Sequence, residues 1–264
     1  MWQNVAMPAT PSDSARSGSG DPARALELLW REPGHGRSGH GPRQRHSIDE
    51  VVDAAIALAD EGGLDTVTMR AVAARLRIAP MSIYTYVPGK AELLDLMLDR
   101  LYLAMPRPSL TALPWRERLT AVADGNRALF LAHPWLATVA TIRPTLGPGT
   151  MAKYEHELSA FTGLGLGDVT IDDALTYLLT FVQASARAAG EATGQAIDSA
   201  MTDAQWWAAN ESLLARVFDP AAYPLAARIG SAAAEANGAA YVPDHAYAFG
   251  LARTLDALAA LIDR

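Results

Sequence analysis

Residues 79–90 read APMSIYTYVPGK, a run of two tyrosines, a serine and a threonine closed by Pro88-Gly89 and a lysine. Its obvious core anchors are Ile83 and Val87, four residues apart. Hydroxyls on short and long stems beside an ammonium suit hydrogen bonding to phosphate oxygens and base edges. Charge placement points the same way. The chain of 264 residues carries a net charge of -7, which argues against a basic coat over the whole protein. Yet residues 34–46 hold Arg37, Arg43, Arg45 and three histidines without one acidic residue. Residues 66–90 hold Arg70, Arg75, Arg77 and Lys90, again without an acid. Two basic windows in an acidic chain are the local footprint of a phosphate-binding surface, with chance clustering on a solvated face as the alternative.

Other combinations of reactive side chains lead nowhere. Tyr154 to Leu158 reads YEHEL, two glutamates and a histidine, but adjacent helical residues point in different directions. The chain contains no His-Glu-x-x-His pair, no Gly-x-Ser-x-Gly elbow and no glycine-rich phosphate loop. It has no cysteine, which excludes disulfides and thiolate metal sites. No catalytic residue, metal ligand or cofactor is assigned, and an enzyme is not expected.

The elements that must position residues 79–90 are helices. Alanine is abundant and β-branched runs are scarce, so the chain is expected to be all-α. Ser47 with Glu50 three residues later forms a capping box, followed by Val51, Ala55, Ile56, Leu58 and Ala59 at helical spacing up to Gly62-Gly63. Thr66 or Thr68 can cap a second helix bearing Met69, Val72, Ala73 and Leu76. After a break at residues 77–79 comes the polar run. A longer helix follows with Leu93, Leu94, Met97, Leu98 and Leu101. Two short helices joined by a tight turn make a helix-turn-helix, with residues 79–88 as its second helix. Such a helix, under two turns long, must lean on its neighbours.

From Ile48 to Leu101 the chain resembles the tetracycline-repressor (TetR) family of transcriptional regulators. The resemblance rests on VTMRAVAARLRIAPMSIYTYVPGKAELLDLML, with its Thr-x-Arg start, aromatic-rich second helix and lysine opening the next helix. It implies double-stranded operator DNA as a partner, with contacts from Thr68, Arg70, Met81, Ser82, Tyr84, Thr85, Tyr86 and Lys90. Tyr84, Tyr86 and Lys90 would hold phosphates, and Met81, Ser82 and Thr85 would reach base edges. Pro80 stands where the tetracycline repressor has a glutamine that reads adenine. Arg43 and Arg45, just ahead of the first capped helix, could enter a minor groove as other basic arms do, or remain without contact. Arg143-Pro144-Thr145 resembles the loop beside the drug in the tetracycline repressor, and Glu191 falls at an acidic position near its metal. Val139 replaces the histidine expected to bind magnesium. Tetracycline–magnesium is therefore not the expected effector, and a small hydrophobic, antibiotic- or polyketide-like molecule is.

The rest of the chain divides as follows. Residues 1–46 are expected to be a disordered extension with a short helix after Asp21-Pro22 and a basic arm. Residues 47–104 are the DNA-binding unit, and residues 105–264 are a helical ligand-binding and dimerisation domain. In the last, PWRERLTAVADGNRALFLAH, GTMAKYEHELSAFTGL, TIDDALTYLLTFVQASARAAGEATGQAI, DAQWWAANESLLARVF and DHAYAFGLARTLDALAAL read as helices. The family resemblance makes the long one and the last one a homodimer interface. The last carries Leu251, Leu255, Leu258 and Leu261 on one stripe. Asn126, Phe130, Arg143, Phe161, Leu178, Val182 and Trp207 are the candidate lining of a largely apolar cavity for a small-molecule effector, with plain core packing as the alternative for each. No apolar run approaches the ~18 residues of a membrane span, and no secretory signal opens the chain, so a cytoplasmic location and no membrane partner are expected.

Overall fold

Local signals set the first helices. The computed structural model describes residues 18, 20–31, 46–139, 143–199, 201–238 and 241–262. Asp21 caps α1 (Pro22–Leu29), accepting the amides of Ala23 and Arg24. In α2 (Ile48–Gly62) both halves of the capping box form, Glu50 N to Ser47 Oγ at 3.1 Å and Ser47 N to Glu50 Oε2 at 2.7 Å. Thr68, rather than Thr66, caps α3 (Met69–Arg75) by accepting from the Ala71 amide. That helix ends in a paired-bond stop, with Arg77 N to Ala74 O and Ile78 N to Ala73 O both at 3.0 Å. Arg77 occupies the left-handed position there, φ +57°, which usually falls to glycine.

Residues Pro80–Thr85 form a 3-10 helix in place of the expected α-helix. Pro80 removes a backbone donor at its first position, and six residues give too few bonds to enforce α geometry. Ile83 and Val87 are fully buried beneath it. After Pro88-Gly89 comes α4 (Lys90–Ala104), which is buried almost all round, with Leu93, Leu94, Leu96, Met97, Leu98 and Leu101 inside. These side chains meet Val51, Val52, Ala55 and Val72 in one core, closed from below by Trp135, Leu136 and Val139. The last three come from the chain just after α5 (Trp115–Ala132), in and beside a 3-10 turn at Pro134–Thr138.

A second core joins α5, the end of α6 (Pro148–Ser159), α7 (Asp168–Ser199) and α10 (Pro243–Ile262) around Leu119, Val122, Phe161, Leu178, Val182, Leu251 and Leu255. Gly250 lets α10 approach α7, since a Cβ there would collide with the Phe181 ring. Leu251, Leu255 and Leu258 are therefore buried within the subunit, and only Leu261 of that stripe is exposed. The outward side of the α7–α10 pair carries Tyr177 and Phe249 instead. Helices α8 (Asp203–Val217) and α9 (Pro224–Asn237) expose Trp206, Trp207, Leu213, Leu225 and Ile229. The sequence reading missed α9, although Pro224 at its start and Gly238 at its left-handed end are the usual punctuation. Among the described residues there is no strand, and no helix is long and apolar enough to cross a membrane.

The extension is only partly as expected. Leu28 and Leu29 of α1 are buried against α4, so residues 20–31 belong to the folded body. The rest of residues 1–17 and the basic arm with Arg37, Arg43 and Arg45 lie outside the described residues.

Candidate nucleic-acid interface and effector cavity

The reading face is built on buried anchors. Ile83 and Val87 hold the 3-10 helix down, which leaves Met81 76% exposed and Tyr84 48% exposed on its outer side. Ser82 is half-buried and Thr85 exposed, and the Thr85 hydroxyl donates to Ser82 O at 2.7 Å. Thr85 is thus left as a hydrogen-bond acceptor, suited to a base donor such as an exocyclic amine. Tyr86 departs from the expected outward position. Its side chain is only 6% exposed and packs in the first core, because residue 86 follows Ile83 by one 3-10 turn and shares its inward face. The tyrosines therefore divide, Tyr84 outward and Tyr86 inward.

Lys90 is the first residue of α4, whose N-cap Gly89 brings no side-chain acceptor. Its ammonium donates to Leu64 O at 3.2 Å with two donors to spare, and the first amides of α4 are left without a side-chain cap. Thr68 spends its oxygen on the α3 cap, while Arg70, two residues on, is exposed and makes no ion pair among the described residues. Arg75 behaves differently. Glu61, from outside the acid-free window, grips it with two bonds of 2.6 Å. That pairing holds the Glu61 carboxyl below its usual range and raises Arg75. The window is acid-free in sequence but not in space, and its remaining cations are Arg70, Arg77 and Lys90. His46 Nε2 lies 3.1 Å from Leu76 O, which brings the end of the basic arm to the end of α3.

The candidate cavity lies at the other end of α4. It has a volume of about 580 Å³, within the usual range for small-molecule sites. Four segments form it: Leu98 and Tyr102 of α4, residues 144–146, Thr150 to Glu157 along α6, and Leu175 to Gln183 along α7. Its polar groups converge. Glu157, almost fully buried, takes Lys153 Nζ and Asn126 Nδ2, each at 2.6 Å. Asn126 also donates to Val122 O, and its Oδ1 is buried with no partner among the described residues. Tyr102 has its phenol pushed up to about 12 by burial and by the nearby charges of Glu157 and Asp99. It therefore stays a neutral hydroxyl at any ordinary pH. Tyr154 donates to Asp172 at 2.6 Å, bridging α6 to α7 at the rim.

The sequence-derived lining fits this cavity poorly. Asn126 reaches it only through Glu157. Phe161, Leu178 and Val182 are buried in the second core, and Phe130 packs between the two cores. Arg143 is exposed beside the loop at residues 144–146 and lines a smaller neighbouring hollow. Trp207 is exposed on α8, edge-on to Trp206, and does not line it. The residues that do line it carried a signal. Thr176, Thr180 and Gln183 form a polar stripe beside the apolar Leu175, Leu178, Leu179 and Val182, at offsets of four and three. Gln183 also donates to Ala137 O at 3.1 Å, tying this wall to the turn beneath the DNA-reading core.

A wider cleft of about 670 Å³ opens between the end of α2 and α7, lined by Asp60, Glu61, Arg187 and Glu191. His133 and Trp135 both bond Asp60 there, at 2.8 and 2.7 Å. Its charged groups are largely engaged with one another, so it offers a ligand less than the cavity beside α4. Among the described residues no cluster of acidic and histidine side chains has the makings of a metal site, and Val139 is buried in the first core.

A helix-turn-helix with an exposed polar reading face, joined by one buried helix to a cavity-bearing helical domain, defines a DNA-binding transcriptional regulator of the one-component kind. Comparison with known proteins gives the family. Residues 51–97 match the family model described as bacterial regulatory proteins, tetR family, and residues 107–262 match the tetracyclin repressor-like C-terminal domain. The chain belongs to the TetR family. It is 40% identical over 247 residues to the HTH-type transcriptional repressor DrrR1 of Streptomyces coeruleorubidus, covering 93% of this chain and 88% of that one. It is 34% identical over 119 residues to an HTH-type transcriptional regulator of Saccharopolyspora erythraea, covering 45% and 50%. Among solved structures, ActR of Streptomyces coelicolor in complex with actinorhodin superposes with a TM-score of 0.67 at 25% identity, over 82% of this chain and 97% of that one. ActR in complex with (S)-DNPA gives 0.65 at the same identity and 98% of its chain.

Proposed function

We propose that this protein is a ligand-responsive repressor. As a homodimer it binds a palindromic operator and is released by a small hydrophobic, polyketide-like effector in the cavity beside α4. The observation that carries this reading is that one helix serves both ends. Lys90 opens α4 next to the reading face, and Tyr102, twelve residues on, lines the cavity. At 1.5 Å per residue the two are roughly 18 Å apart on a rigid rod. An effector that moves α6 or α7 against Tyr102 tilts that rod and with it the reading face. A typical coupling of ~1–3 kcal/mol weakens DNA binding about 5–150-fold.

On DNA, Tyr84, Lys90 and Arg70 hold phosphates, Thr68 donates its hydroxyl proton to one, and Met81, Ser82 and Thr85 meet base edges. Arg43 and Arg45 follow the minor groove. Met81 suits a thymine methyl, and the absence of a bidentate side chain at Pro80 keeps the base readout modest. In the cavity, Tyr102, Lys153, Glu157 and Gln183 offer donors and acceptors to phenols and carbonyls on an apolar bed of Leu98, Leu175 and Leu179. The ligands named for ActR support an effector of that kind. The exposed Tyr177 and Phe249 on the α7–α10 side support a second copy, which would set two reading faces about 34–36 Å apart.

The test is retardation of DNA from upstream of its own coding sequence. A shift that weakens steeply with salt is expected, abolished by Lys90→Ala with Tyr84→Ala, and reversed by compounds from a library of hydrophobic aromatics. No shift at low salt would overturn the repressor reading. A shift that no compound reverses would leave a DNA-binding regulator without small-molecule induction.

A further inference from the structure

Residues 18–31 precede both family matches, yet they are bound to the body at six points. Gly18 N donates to Asp95 Oδ1 at 3.0 Å and Asp21 N to Glu92 Oε1 at 3.1 Å. Leu28 and Leu29 are buried in the first core. Arg31 pairs with Asp49 at the start of α2. Trp30 Nε1 donates to Leu146 O at 2.7 Å. That last bond matters because Leu146 lines the effector cavity, and α1 lines the adjoining hollow together with residues 143–146.

The carboxylates that receive this segment form a series. Glu92, Asp95 and Asp99 lie at offsets of three and four on one face of α4, and all three are buried. Buried carboxylates need hydrogen-bond donors to remain in place. Asp99 takes the amides of Gly149 and Thr150 at the start of α6, at 3.1 and 2.8 Å. Glu92 and Asp95 take amides from residues 18–21. The same face of α4 thus holds the cavity wall at one end and the N-terminal segment at the other. The fit is close. A side chain at Gly20 would run into the Glu92 carboxylate and come within 3.3 Å of Ala91 Cβ. Gly18 stands at φ +68°, with Arg143 Cβ 3.1 Å from where its own Cβ would be.

We propose that Gly18 and residues 20–31 form a strap that fixes the cavity loop at residues 143–146 to α4 and α2, with Trp30 as a positioning residue for effector binding. The strap joins three parts that an effector must move relative to one another: the cavity loop, the linking helix and the first helix of the DNA-reading unit. The strap and an effector in the cavity are therefore linked, an intact strap favouring effector binding and a bound effector favouring the strap by the same factor. Because the strap clamps Leu146 in the cavity-lining position, its loss disorders the lining and weakens effector binding. The consequence for binding rests on the effector reading; the strap itself does not.

Two full-length variants test it. Gly20→Val lifts the strap off Glu92, and Trp30→Phe keeps the ring but deletes the bond to Leu146. Hydrogen exchange is measured on the full chain, and actinorhodin binding is measured by calorimetry. Gly20→Val is expected to speed exchange roughly tenfold or more in residues 145–151 and in the first turns of α4, while α7 and α10 keep their protection. Trp30→Phe is expected to affect residues 145–151 alone, with unchanged thermal stability and severalfold weaker actinorhodin binding. Unchanged exchange at residues 145–151 in Gly20→Val, with the amides of α1 exchanging freely, would overturn the proposal. If wild-type protein fails to bind actinorhodin while exchange responds as expected, the strap stands and the choice of effector falls.

Discussion

The two ends of α4 solve opposite problems. At the DNA-reading end a polar face is raised on a continuous apolar floor: Ile83 and Val87 are fully buried, and Met81 and Tyr84 stand above them. At the cavity end the polar groups are inside. Glu157, Asn126 and Lys153 share hydrogen bonds beneath an apolar lining, and Asn126 Oδ1 is left unsatisfied among the described residues. The first arrangement is stable without a ligand and presents a fixed surface. The second is a buried polar network behind the cavity wall, whose Lys153 and Glu157 also line the cavity, so a ligand there would touch groups already bonded to one another. The difference is between a polar face held out on an apolar floor and a polar network held in behind a cavity wall.

Replacements at the two ends should separate these modes. Glu157→Ala removes the acceptor of two buried donors and should cost about 3–5 kcal/mol, because Lys153 keeps its charge in a half-buried site. Urea denaturation measures this, and Glu157→Gln should recover part of it. A loss under 1 kcal/mol would mean that the cavity network is already well hydrated. At the reading end, Ile83→Ala should cost about 2–5 kcal/mol, whereas Met81→Ala should stay within about 0.5 kcal/mol and lower operator discrimination alone. Equal losses of stability at both positions would erase the division between floor and face.

The next effect is on pH. The Tyr102 phenol is raised in the folded protein to about 12 from 10, so the folded state holds that proton more tightly than the unfolded chain. Its contribution, of the order of 2 kcal/mol, is complete below pH 10 and is lost as pH rises from 10 to 12. Tyr102→Phe should flatten the alkaline limb of a stability–pH curve, and an unchanged limb would place the phenol in water. The smallest effect is expected at the turn. Arg77 sits at φ +57°, so Arg77→Gly relieves left-handed strain, offset in part by the freedom glycine gains when unfolded. A net gain of about 0.5–1 kcal/mol is expected by thermal denaturation.

The same contrast explains what was legible in the residues alone. The reading unit announces itself through local signals: the Ser47–Glu50 box, the Gly62-Gly63 stop, the Thr68 cap and the Pro88-Gly89 break all act within one turn of chain. Tyr86 follows Ile83 by three residues, a spacing that turns it inward in an α-helix and a 3-10 helix alike, and only its hydroxyl suggests the outward role. The cavity is assembled from four segments between residues 98 and 183, and no local rule brings them together. Phe161, Leu178 and Val182 are candidates by apolarity alone, which marks core as readily as pocket. Thr176, Thr180 and Gln183 are the better guide, since they lie at helical spacing beside the buried Leu175, Leu178 and Val182, on the edge between core and surface where a cavity wall runs. Glu61 shows the same limit from the other side, for it neutralises Arg75 from fourteen residues away.

The central claim is that α4 transmits cavity occupancy to the reading face. Fluorescence anisotropy of upstream DNA, titrated with protein at a fixed salt concentration and increasing amounts of a hydrophobic aromatic compound, tests it directly when ligand occupancy is followed in parallel by calorimetry. Operator affinity is expected to fall about 5–150-fold in step with cavity occupancy. A ligand that fills the cavity while operator affinity stays constant would contradict it.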